Sequence, residues 1–284
     1  MAASITTVAV LGAGTMGHGI AQVCAVAGCR VTLRDLNENV VQGGVGRIRE
    51  SLEKLASKGR IDTDAKDRAL SSIEATTDLA AAVAGADLIV EAIPERMELK
   101  IQTFTDVERA APDHAIFATN TSSLSVTEIA GATGRPERVI GMHFFNPVPI
   151  MELLELVRGL RTSDETVETA RAFAERIGKR AIVVRDWQGF ATSRLGVALG
   201  AEAIRMLEEG VASAEDIDTA MKLGYRHPMG PLELTDLVGL DVRLAILEHL
   251  HREVGEQFRP PTLLRQMVRA GKLGRKAGEG FYKY

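Results

Sequence analysis

His143 and Glu155 are the residue pair with the clearest potential for acid–base chemistry in this sequence. They lie six positions before and six positions after Pro149, and His143 directly follows a predicted buried strand at 138–142. If the chain reverses in the NPVP turn at 146–149, which cannot continue a helix, the carboxylate can meet the imidazole. Such a carboxylate fixes the tautomer and favours the imidazolium, so the other ring nitrogen can act as a base. The pair is typical of a site that takes the proton of a hydroxyl group while hydride leaves the carbon that bears this hydroxyl.

Two alternatives to this pairing remain open at this point. A single histidine near a turn is more often structural than catalytic. Glu152 is also close enough in sequence to compete for the imidazole, although strand alternation predicts that it points away from the face that carries Glu155. In favour of a site, the carboxyl end of a strand is where open α/β sheets bind ligands.

The segment Gly12-Ala13-Gly14-Thr15-Met16-Gly17 matches the GxGxxG pattern of dinucleotide-binding proteins. It follows a predicted strand at 5–11 and opens a predicted helix at 17–27, which is the context that the mechanism requires. Gly12 permits the tight turn, Gly14 lets a pyrophosphate approach the backbone, and Gly17 lets helix and strand pack closely. The helix N-terminus then faces the anion. An ordinary glycine turn is the alternative, and the flanking elements make it the weaker one.

Asp35 stands at the end of the predicted second strand, 18 residues after Gly17. This is the expected position of a carboxylate that binds the ribose 2′-hydroxyl and repels a 2′-phosphate, so the sequence favours NAD over NADP. The neighbouring Arg34 keeps NADP open as an alternative. A capping or solvated aspartate is the structural alternative.

Strands that alternate with helices predict a Rossmann-type, doubly wound α/β domain over residues 1–187. The predicted strands lie at 5–11, 29–35, 73–76, 86–91, 115–119, 138–142, 151–157 and 181–185, with helices at 17–27, 38–58 and near 164–177 and further helical segments between most of the other strands. From residue 188 onward the pattern shows helices only, at 189–210, 214–223, 240–254 and 262–270. We therefore predict an all-helical C-terminal domain over residues 188–284.

Composition and charge exclude several classes of function. The net charge of −4 argues against bulk nucleic-acid binding. No apolar run approaches the ~20 residues of a membrane span, and no basic stretch precedes the first apolar segment as it would in a signal peptide. Cys24 and Cys29 have neither metal nor redox spacing, so we expect no metal site and a reduced, cytoplasmic setting.

The sequence resembles the L-3-hydroxyacyl-CoA dehydrogenase family, especially its short bacterial 3-hydroxybutyryl-CoA dehydrogenases. The resemblance covers essentially the whole chain, and its most specific block is HFFNPVP. The matching segments are VAVLGAGTMGHGIAQ, VEAIPE, TNTSSL, GMHFFNPVPIMELLELV, GFATSRL, HPMGPLELTDLVGLD and GRKAGEGFYKY. It implies NAD-dependent oxidation of (S)-3-hydroxyacyl-CoA to 3-ketoacyl-CoA in fatty acid metabolism, by a homodimer that assembles through its helical domain.

The resemblance also implies a role for individual residues. His143 corresponds to the catalytic base, Glu155 to its partner, and Ser122 to the residue between the substrate oxygen and the nicotinamide; a helix cap is the alternative for Ser122. The implied cofactor contacts are Gly12, Gly14, Met16, Gly17, Asp35, Glu95, Lys100, Asn120, Ser122, Asn146 and Lys276. The implied acyl-CoA contacts are Ser51, Lys58, Ser122 and Ser193.

Two features of the substrate contacts go beyond the resemblance. Arg47, Ser51, Lys54 and Lys58 share one helical face, a basic stripe that suits the phosphates of CoA, although a solvated charged face is the alternative. Ser193 stands where the family commonly has asparagine, so it has a shorter side chain without the amide fork. The acyl chain length is not set by these patterns.

Two other classes of function remain as alternatives. One is another hydroxyacid dehydrogenase, which would place a catalytic lysine in the helical domain; Lys222, in MKLGY, does not match that motif. The other is a non-catalytic NAD(H)-binding or structural relative, against which the combination of His143, Glu155 and Ser122 argues.

Overall fold

The computed structural model describes residues 4–284, which form two compact units. The first unit ends at Asp186 and the second begins at Trp187. The first is a sheet flanked by helices and the second is helical, so the predicted fold class is confirmed. Across residues 4–284, no helix has both the length and the apolar character needed to cross a membrane.

The first unit contains an eight-stranded sheet in the order β3-β2-β1-β4-β5-β6-β7-β8. All neighbouring strands are parallel except β6 and β7, which are antiparallel. The strands are β1 (Thr7–Leu11), β2 (Arg30–Arg34), β3 (Ile73–Thr76), β4 (Leu88–Glu91), β5 (Ile116–Thr119), β6 (Val139–Phe144), β7 (Leu153–Arg158) and β8 (Arg180–Arg185). The strand order reverses direction between β1 and β4, which is where such sheets open a crevice for ligands.

Five of the seven α-helices described in this unit begin at a capping side chain. They are α1 (Gly17–Val26), α2 (Glu38–Ser57), α3 (Thr63–Ser71), α4 (Leu79–Val83), α5 (Met97–Glu108), α6 (Val126–Gly131) and α7 (Asp164–Arg176). Side chains at five N-caps accept a backbone N–H of the first turn: Asn37, Asp62, Asp78, Ser125 and Ser163. Such caps satisfy amide groups that the helix itself leaves without partners. The helix α1 has no side-chain cap, which bears on its role in the site.

The central strands are buried along their whole length. Every residue of β4, β5 and β6 is buried, which explains their continuous apolar sequences. Three polar residues are exceptions to this apolar pattern: Glu91 in β4, Thr119 in β5 and His143 in β6. All three lie at or close to the carboxyl end of their strands, so these polar groups are concentrated at one end of the strands.

Strand β6 is longer than the sequence pattern predicts. We predicted that His143 follows the strand, whereas β6 runs from Val139 to Phe144 and contains it. The prediction ended at the first polar residue because periodicity treats a histidine as the end of a buried run. In the folded chain, pairing with β7 keeps residues 141–144 in the ladder.

The second unit consists of α8 (Thr192–Glu208), α9 (Ala214–Thr219), a turn of π-helix (Ala220–Gly224), α10 (Pro231–Val238), α11 (Leu240–Glu253) and α12 (Thr262–Arg269). Its core is formed by apolar residues of these helices, among them Val197, Leu232, Leu247 and Leu264. Helix α10 is not predicted by the sequence pattern. Proline at its first position looks like a break in the sequence, yet the first turn of a helix tolerates proline because it needs no N–H there.

Candidate active site

The loop between β1 and α1 requires glycine at two positions, 12 and 17, because a Cβ at either one would collide with the backbone. Gly12 has φ +102°, and a Cβ on it would lie 2.5 Å from the carbonyl oxygen of Ala92. A Cβ on Gly17 would lie 1.6 Å from the carbonyl oxygen of Gly12. These two glycines therefore close the turn and seat α1 against β1.

Gly14 differs from both, because a Cβ on it would meet no protein atom within 4 Å. The space beside it is part of a cavity of about 690 Å³, lined among others by Gly12, Met16, Asp35 and Ile93. The first turn of α1 has no capping side chain and no acidic residue. This open space above uncapped backbone N–H groups fits a phosphate group, so the loop suits a dinucleotide.

Asp35 directly follows β2 at the far side of this cavity. Its Oδ2 accepts the backbone N–H of Ala13 at 2.8 Å, and its Oδ1 accepts that of Leu36 at 2.7 Å. The guanidinium of the neighbouring Arg34 instead donates to the carbonyl of Thr77 at 3.2 Å. The carboxylate of Asp35 is therefore fixed beside the glycine loop, and Arg34 lines the same cavity.

His143 and Glu155 are directly opposite each other in the antiparallel pair of β6 and β7. The chain reverses at the NPVP turn, as predicted, and Nδ1 of His143 lies 2.7 Å from Oε2 of Glu155. Glu155 is fully buried and His143 is 7% exposed. Glu152 is exposed and precedes β7, so it is not the carboxylate that contacts the imidazole.

The turn between these two strands is fastened by Lys179. Its buried ammonium donates to the carbonyl of Val148 at 2.5 Å and to that of Met151 at 2.7 Å. The helix α1 packs on the same turn, since a Cβ on Gly19 would lie only 2.9 Å from Cβ of Val148. Asn146, a predicted cofactor contact, is exposed on this turn. The contacts of Val148 therefore connect the dinucleotide loop with the His–Glu pair.

The loop after β5 carries the next predicted site residues. Oδ1 of Asn120 accepts the backbone N–H of Phe144 at 2.9 Å, which joins the end of β5 to β6 beside His143. Ser122 is not a helix cap, because Ser125 caps α6 by accepting the N–H of Glu128 at 3.2 Å. Ser122 is half-buried and donates both its N–H and its hydroxyl to Glu95.

Glu95 and Lys100 lie together at the end of the neighbouring strand β4. Nζ of Lys100 lies 2.7 Å from Oε1 of Glu91 and 3.2 Å from Oε2 of Glu95. The side chain of Glu95 is 37% exposed, whereas that of Lys100 is 1% exposed. The sequence analysis gave both residues as cofactor contacts; of the two, only Glu95 reaches the surface.

Profiles of known families match both units of the chain. The 3-hydroxyacyl-CoA dehydrogenase NAD binding domain matches residues 7–187, and the 3-hydroxyacyl-CoA dehydrogenase C-terminal domain matches residues 189–284. The chain belongs to the 3-hydroxyacyl-CoA dehydrogenase family. The resemblance that the sequence motifs indicate is thereby confirmed, and the protein is a dehydrogenase with an NAD-type cofactor.

Individual relatives of this 3-hydroxyacyl-CoA dehydrogenase family member match over nearly its whole length. A probable 3-hydroxybutyryl-CoA dehydrogenase of Deinococcus radiodurans is 49% identical, over 97% of this chain and 99% of its own. The mitochondrial hydroxyacyl-coenzyme A dehydrogenase of Homo sapiens is 44% identical, over 98% of this chain and 90% of its own. The crystal structure of the (S)-3-hydroxybutyryl-CoA dehydrogenase from Ralstonia eutropha has a TM-score of 0.96 at 44% identity and covers 99% of both chains.

The predicted basic stripe on α2 is only partly present in this dehydrogenase. Lys54 is exposed on α2, Lys58 is exposed just beyond its last residue, and Ser51 is half-buried. Arg47 is also exposed, but its side chain turns toward the glycine loop, and its Nη2 donates to the carbonyl of Ala13 at 2.7 Å. Helix periodicity cannot show this, because the glycine loop that Arg47 contacts is 34 residues away in the sequence.

Two predicted site residues lie in the helical unit. Ser193 is the second residue of α8 and is half-exposed. Nζ of Lys276 lies 2.6 Å from Oδ1 of Asp241, and both side chains are partly exposed. Within this unit, the ammonium that the resemblance assigns to the cofactor is thus paired with a carboxylate.

The sequence analysis missed three polar residues that hold the site together: Glu91, Thr119 and Lys179. Glu91 was inside a motif used for the resemblance, VEAIPE, but it was given no role. A charged residue at the end of an otherwise apolar strand was the available signal for it. Thr119 was likewise inside a motif used for the resemblance, TNTSSL, and it is the polar residue that ends the apolar strand β5. For Lys179 the sequence carries no such signal, because its partners are distant in the chain.

Proposed function

We propose that this chain catalyses the reversible NAD-dependent oxidation of (S)-3-hydroxyacyl-CoA to 3-ketoacyl-CoA, with 3-hydroxybutyryl-CoA and acetoacetyl-CoA as its substrate pair. The observation that carries the proposal is the 2.7 Å contact between His143 and Glu155 at the edge of the sheet next to the dinucleotide loop. The printed names of relatives at 44–49% identity support this choice of substrate class.

In this mechanism His143 is the general base. Because Glu155 binds Nδ1, the proton of the substrate 3-hydroxyl goes to Nε2, and the buried carboxylate stabilises the imidazolium that forms. When substrate is bound, the hydroxyl of Ser122 turns from Glu95 to the 3-oxygen, donates to it and orients it. The nicotinamide, when bound, supplies the hydride acceptor. In the reverse direction, the imidazolium returns its proton to the 3-oxygen of the ketone.

The residues of the first unit fit a bound NAD. The open space beside Gly14 and the uncapped first turn of α1 suit the pyrophosphate. We assign Asp35 to the adenosine ribose, where its charge disfavours a 2′-phosphate and so favours NAD over NADP. Gly12, Met16 and Gly17 belong to the same loop and are the further cofactor contacts that we assign there. The resemblance adds Glu95, Lys100, Asn120, Ser122, Asn146 and Lys276 as contacts. Because Lys100 is 1% exposed and lies 3.2 Å from Glu95, we assign it an indirect role through Glu95.

For the acyl-CoA, we assign Ser51 and Lys58 to the CoA moiety and Ser193 to the acyl part. An exposed lysine and a half-buried serine one turn apart suit a phosphate group. We place the functional boundary at 187/188, between an NAD-binding domain and a helical domain for substrate binding and dimer formation. Because Cys24 and Cys29 are both free, a reducing compartment such as the cytoplasm suits the chain.

The test is the oxidation of NADH by acetoacetyl-CoA, followed by absorbance, for wild type and His143→Gln. General acid–base catalysis contributes about 10²- to 10⁴-fold, so we expect a loss of kcat in that range, with the Kd for NADH unchanged. With NADPH in place of NADH, we expect kcat/KM to be at least about tenfold lower. A wild-type protein that binds NADH but does not oxidise it with acetoacetyl-CoA or longer 3-ketoacyl-CoA would contradict the proposed function.

A further inference from the structure

Glu91 is a fully buried carboxylate at the end of β4 to which the proposed mechanism gives no role. Its Oε1 accepts the backbone N–H of Ile93 at 2.8 Å and the ammonium of Lys100 at 2.7 Å. Its Oε2 accepts the hydroxyl of Thr119, on the neighbouring strand β5, at 2.7 Å. Removing two charges from water is costly, and an apolar pair of the same size is often as stable. The ion pair of Glu91 and Lys100 therefore requires an explanation other than stability.

Lys100 links this buried carboxylate to Glu95, because its ammonium contacts both. Its Nζ lies 3.2 Å from Oε2 of Glu95, and the side chain of Lys100 is 1% exposed. Ile93 and Thr119 hold the carboxylate of Glu91, and Glu91 in turn fixes the ammonium of Lys100 on its buried side. Lys100 therefore presents a positive charge at a constant position. Glu95 is in turn held at one of its two carboxylate oxygens.

The other oxygen of Glu95 accepts hydrogen bonds from all three residues of the turn at 121–123. Oε1 accepts the hydroxyl of Thr121 at 2.6 Å and the backbone N–H groups of Ser122 at 2.9 Å and Ser123 at 3.2 Å. The hydroxyls of both serines lie 3.3 and 3.4 Å from the same oxygen. The geometry of the whole turn, including Ser122, therefore depends on where this one oxygen is held.

The charge of Glu95 matters because the groups around Oε1 are hydrogen-bond donors. Burial alone would raise the pKa of Glu95, but the Lys100 ammonium and the hydrogen bonds from Thr121 and Ser122 lower that pKa below its usual value. An ionised carboxylate only accepts hydrogen bonds, whereas a protonated one also presents a donor. Lys100 thus keeps Glu95 in the form that the turn needs.

We propose that Glu91 and Lys100 are positioning residues for Ser122, which act through Glu95 and have no contact with the substrate. The inference rests on the proposed function only for what Ser122 does; the chain of contacts from Glu91 to Ser122 is independent of it. The competing interpretation is that the ion pair only stabilises the packing of α5 and β5 on β4.

The test is the double variant Glu91→Gln/Lys100→Met, which removes one positive and one negative charge from the core, so that Glu95, whose side chain is 37% exposed, loses its ammonium partner. We expect kcat for acetoacetyl-CoA reduction to fall at least about tenfold, because the 3-oxygen is no longer held in line, while KM changes less than about threefold. In hydrogen exchange, the amides of Ser122 and Ser123 should exchange at least about tenfold faster than in wild type.

A second variant and a matched control accompany it. Thr119→Val removes the hydrogen bond to Glu91 and the 3.3 Å hydrogen bond that Thr119 Oγ1 accepts from the Thr121 N–H, but it keeps both charges and the shape of the side chain. It tests the contacts between Glu91 and the turn at residues 121–123 if the double variant does not fold. We expect a smaller change in the same two measurements. Glu168→Gln/Arg171→Met makes the same kind of change in an exposed pair on α7, 3.4 Å apart, and should leave kcat and the exchange of residues 121–123 unchanged.

Combining the double variant with Ser122→Ala distinguishes a positioning role of the ion pair from a general effect on stability. If the ion pair acts on the reaction through Ser122, adding Glu91→Gln/Lys100→Met to Ser122→Ala lowers kcat no further. Equal losses in both backgrounds would overturn the proposal, as would unchanged exchange of Ser122 and Ser123 in a folded double variant. An inactive wild type would contradict the proposed function alone, because the exchange measurement needs no substrate.

Discussion

At the residue scale, one carboxylate decides how the imidazole of His143 can be used. Glu155 is fully buried, and its Oε2 lies 2.7 Å from Nδ1 of His143. A buried acceptor at this distance fixes both the orientation and the tautomer of the ring. The neighbouring Glu152 has the same chemistry but is exposed, so it offers a control of identical charge.

We therefore predict that Glu155→Gln lowers kcat for acetoacetyl-CoA reduction at least about 10²-fold, because the amide cannot stabilise the imidazolium as a carboxylate does. The Kd for NADH should change less than about twofold. Steady-state kinetics and NADH fluorescence titration measure the two quantities. Glu152→Gln should leave both at wild-type values; a comparable loss of kcat in this control would remove the argument for Glu155.

Glu95 gives a prediction for pH. Its pKa is lowered in the folded protein: burial opposes the shift, but the Lys100 ammonium and the hydrogen bonds from the turn outweigh it. A lowered pKa means that the ionised form contributes stability above the ordinary value of 4.5, and that this contribution disappears as the pH falls through the folded-state pKa.

We accordingly expect wild type to be more stable than Glu95→Gln near neutral pH and the difference to shrink as the pH falls below 4.5. Urea unfolding midpoints across this range measure it. Glu38→Gln, a change at an exposed glutamate in the first turn of α2, provides the control and should show a smaller, nearly constant difference. A Glu95→Gln difference that grows toward acid pH would reverse the assigned sign.

At the element scale, the loop between β1 and α1 separates what the fold requires from what a ligand requires. The Cβ of an alanine at position 17 would lie 1.6 Å from the carbonyl oxygen of Gly12, whereas at position 14 it would meet nothing within 4 Å. Gly14 also lacks the positive φ that strains other residues. Its glycine is therefore explained by the approach of a ligand and not by the backbone.

The two glycines give a paired prediction. We expect Gly14→Ala to change Tm by less than about 2 °C and to weaken NADH binding at least about tenfold. Gly17→Ala should lower Tm by several degrees and also weaken NADH binding, because α1 can no longer approach β1. Differential scanning fluorimetry and NADH titration test both. Unchanged NADH binding by Gly14→Ala would contradict the assignment of this loop.

At the scale of the whole molecule, the helical unit exposes large apolar side chains that a single chain leaves in water. Among them are Leu195 at 71% exposure, Leu223 at 79% and Val242 at 41%. Exposed apolar surface of this kind favours association. Together with the resemblance, these side chains support our proposal that two chains form a homodimer through this unit.

We expect sedimentation equilibrium to give about twice the chain mass of 30.6 kDa. Val242→Glu, on α11, should shift the equilibrium toward the single chain, because it places a charge in the proposed contact. Leu160→Glu, at a fully exposed leucine of the first unit, should not. A single species of 30.6 kDa for wild type would end the proposal.

The sequence by itself determined the fold class and most of the elements. Alternation of apolar strands and helices gave the eight strands within a few residues, and the glycine pattern gave the dinucleotide loop. These features are local: they depend on periodicity, caps and turns, which a segment carries with it. The same holds for the reversal at NPVP, which allowed the meeting of His143 and Glu155 to be predicted.

Only the tertiary structure decided how the site is supported. Three sets of contacts support the site, and each joins residues that are distant in sequence or lie in different elements. Lys100 contacts both Glu91 and Glu95, Lys179 binds the carbonyls of the NPVP turn, and Arg47 binds the glycine loop. Burial also changed the role that we assign to Lys100, because its ammonium pairs with a neighbouring carboxylate inside the protein. Such contacts follow from three-dimensional packing, for which charge pattern and periodicity along the chain contain no signal.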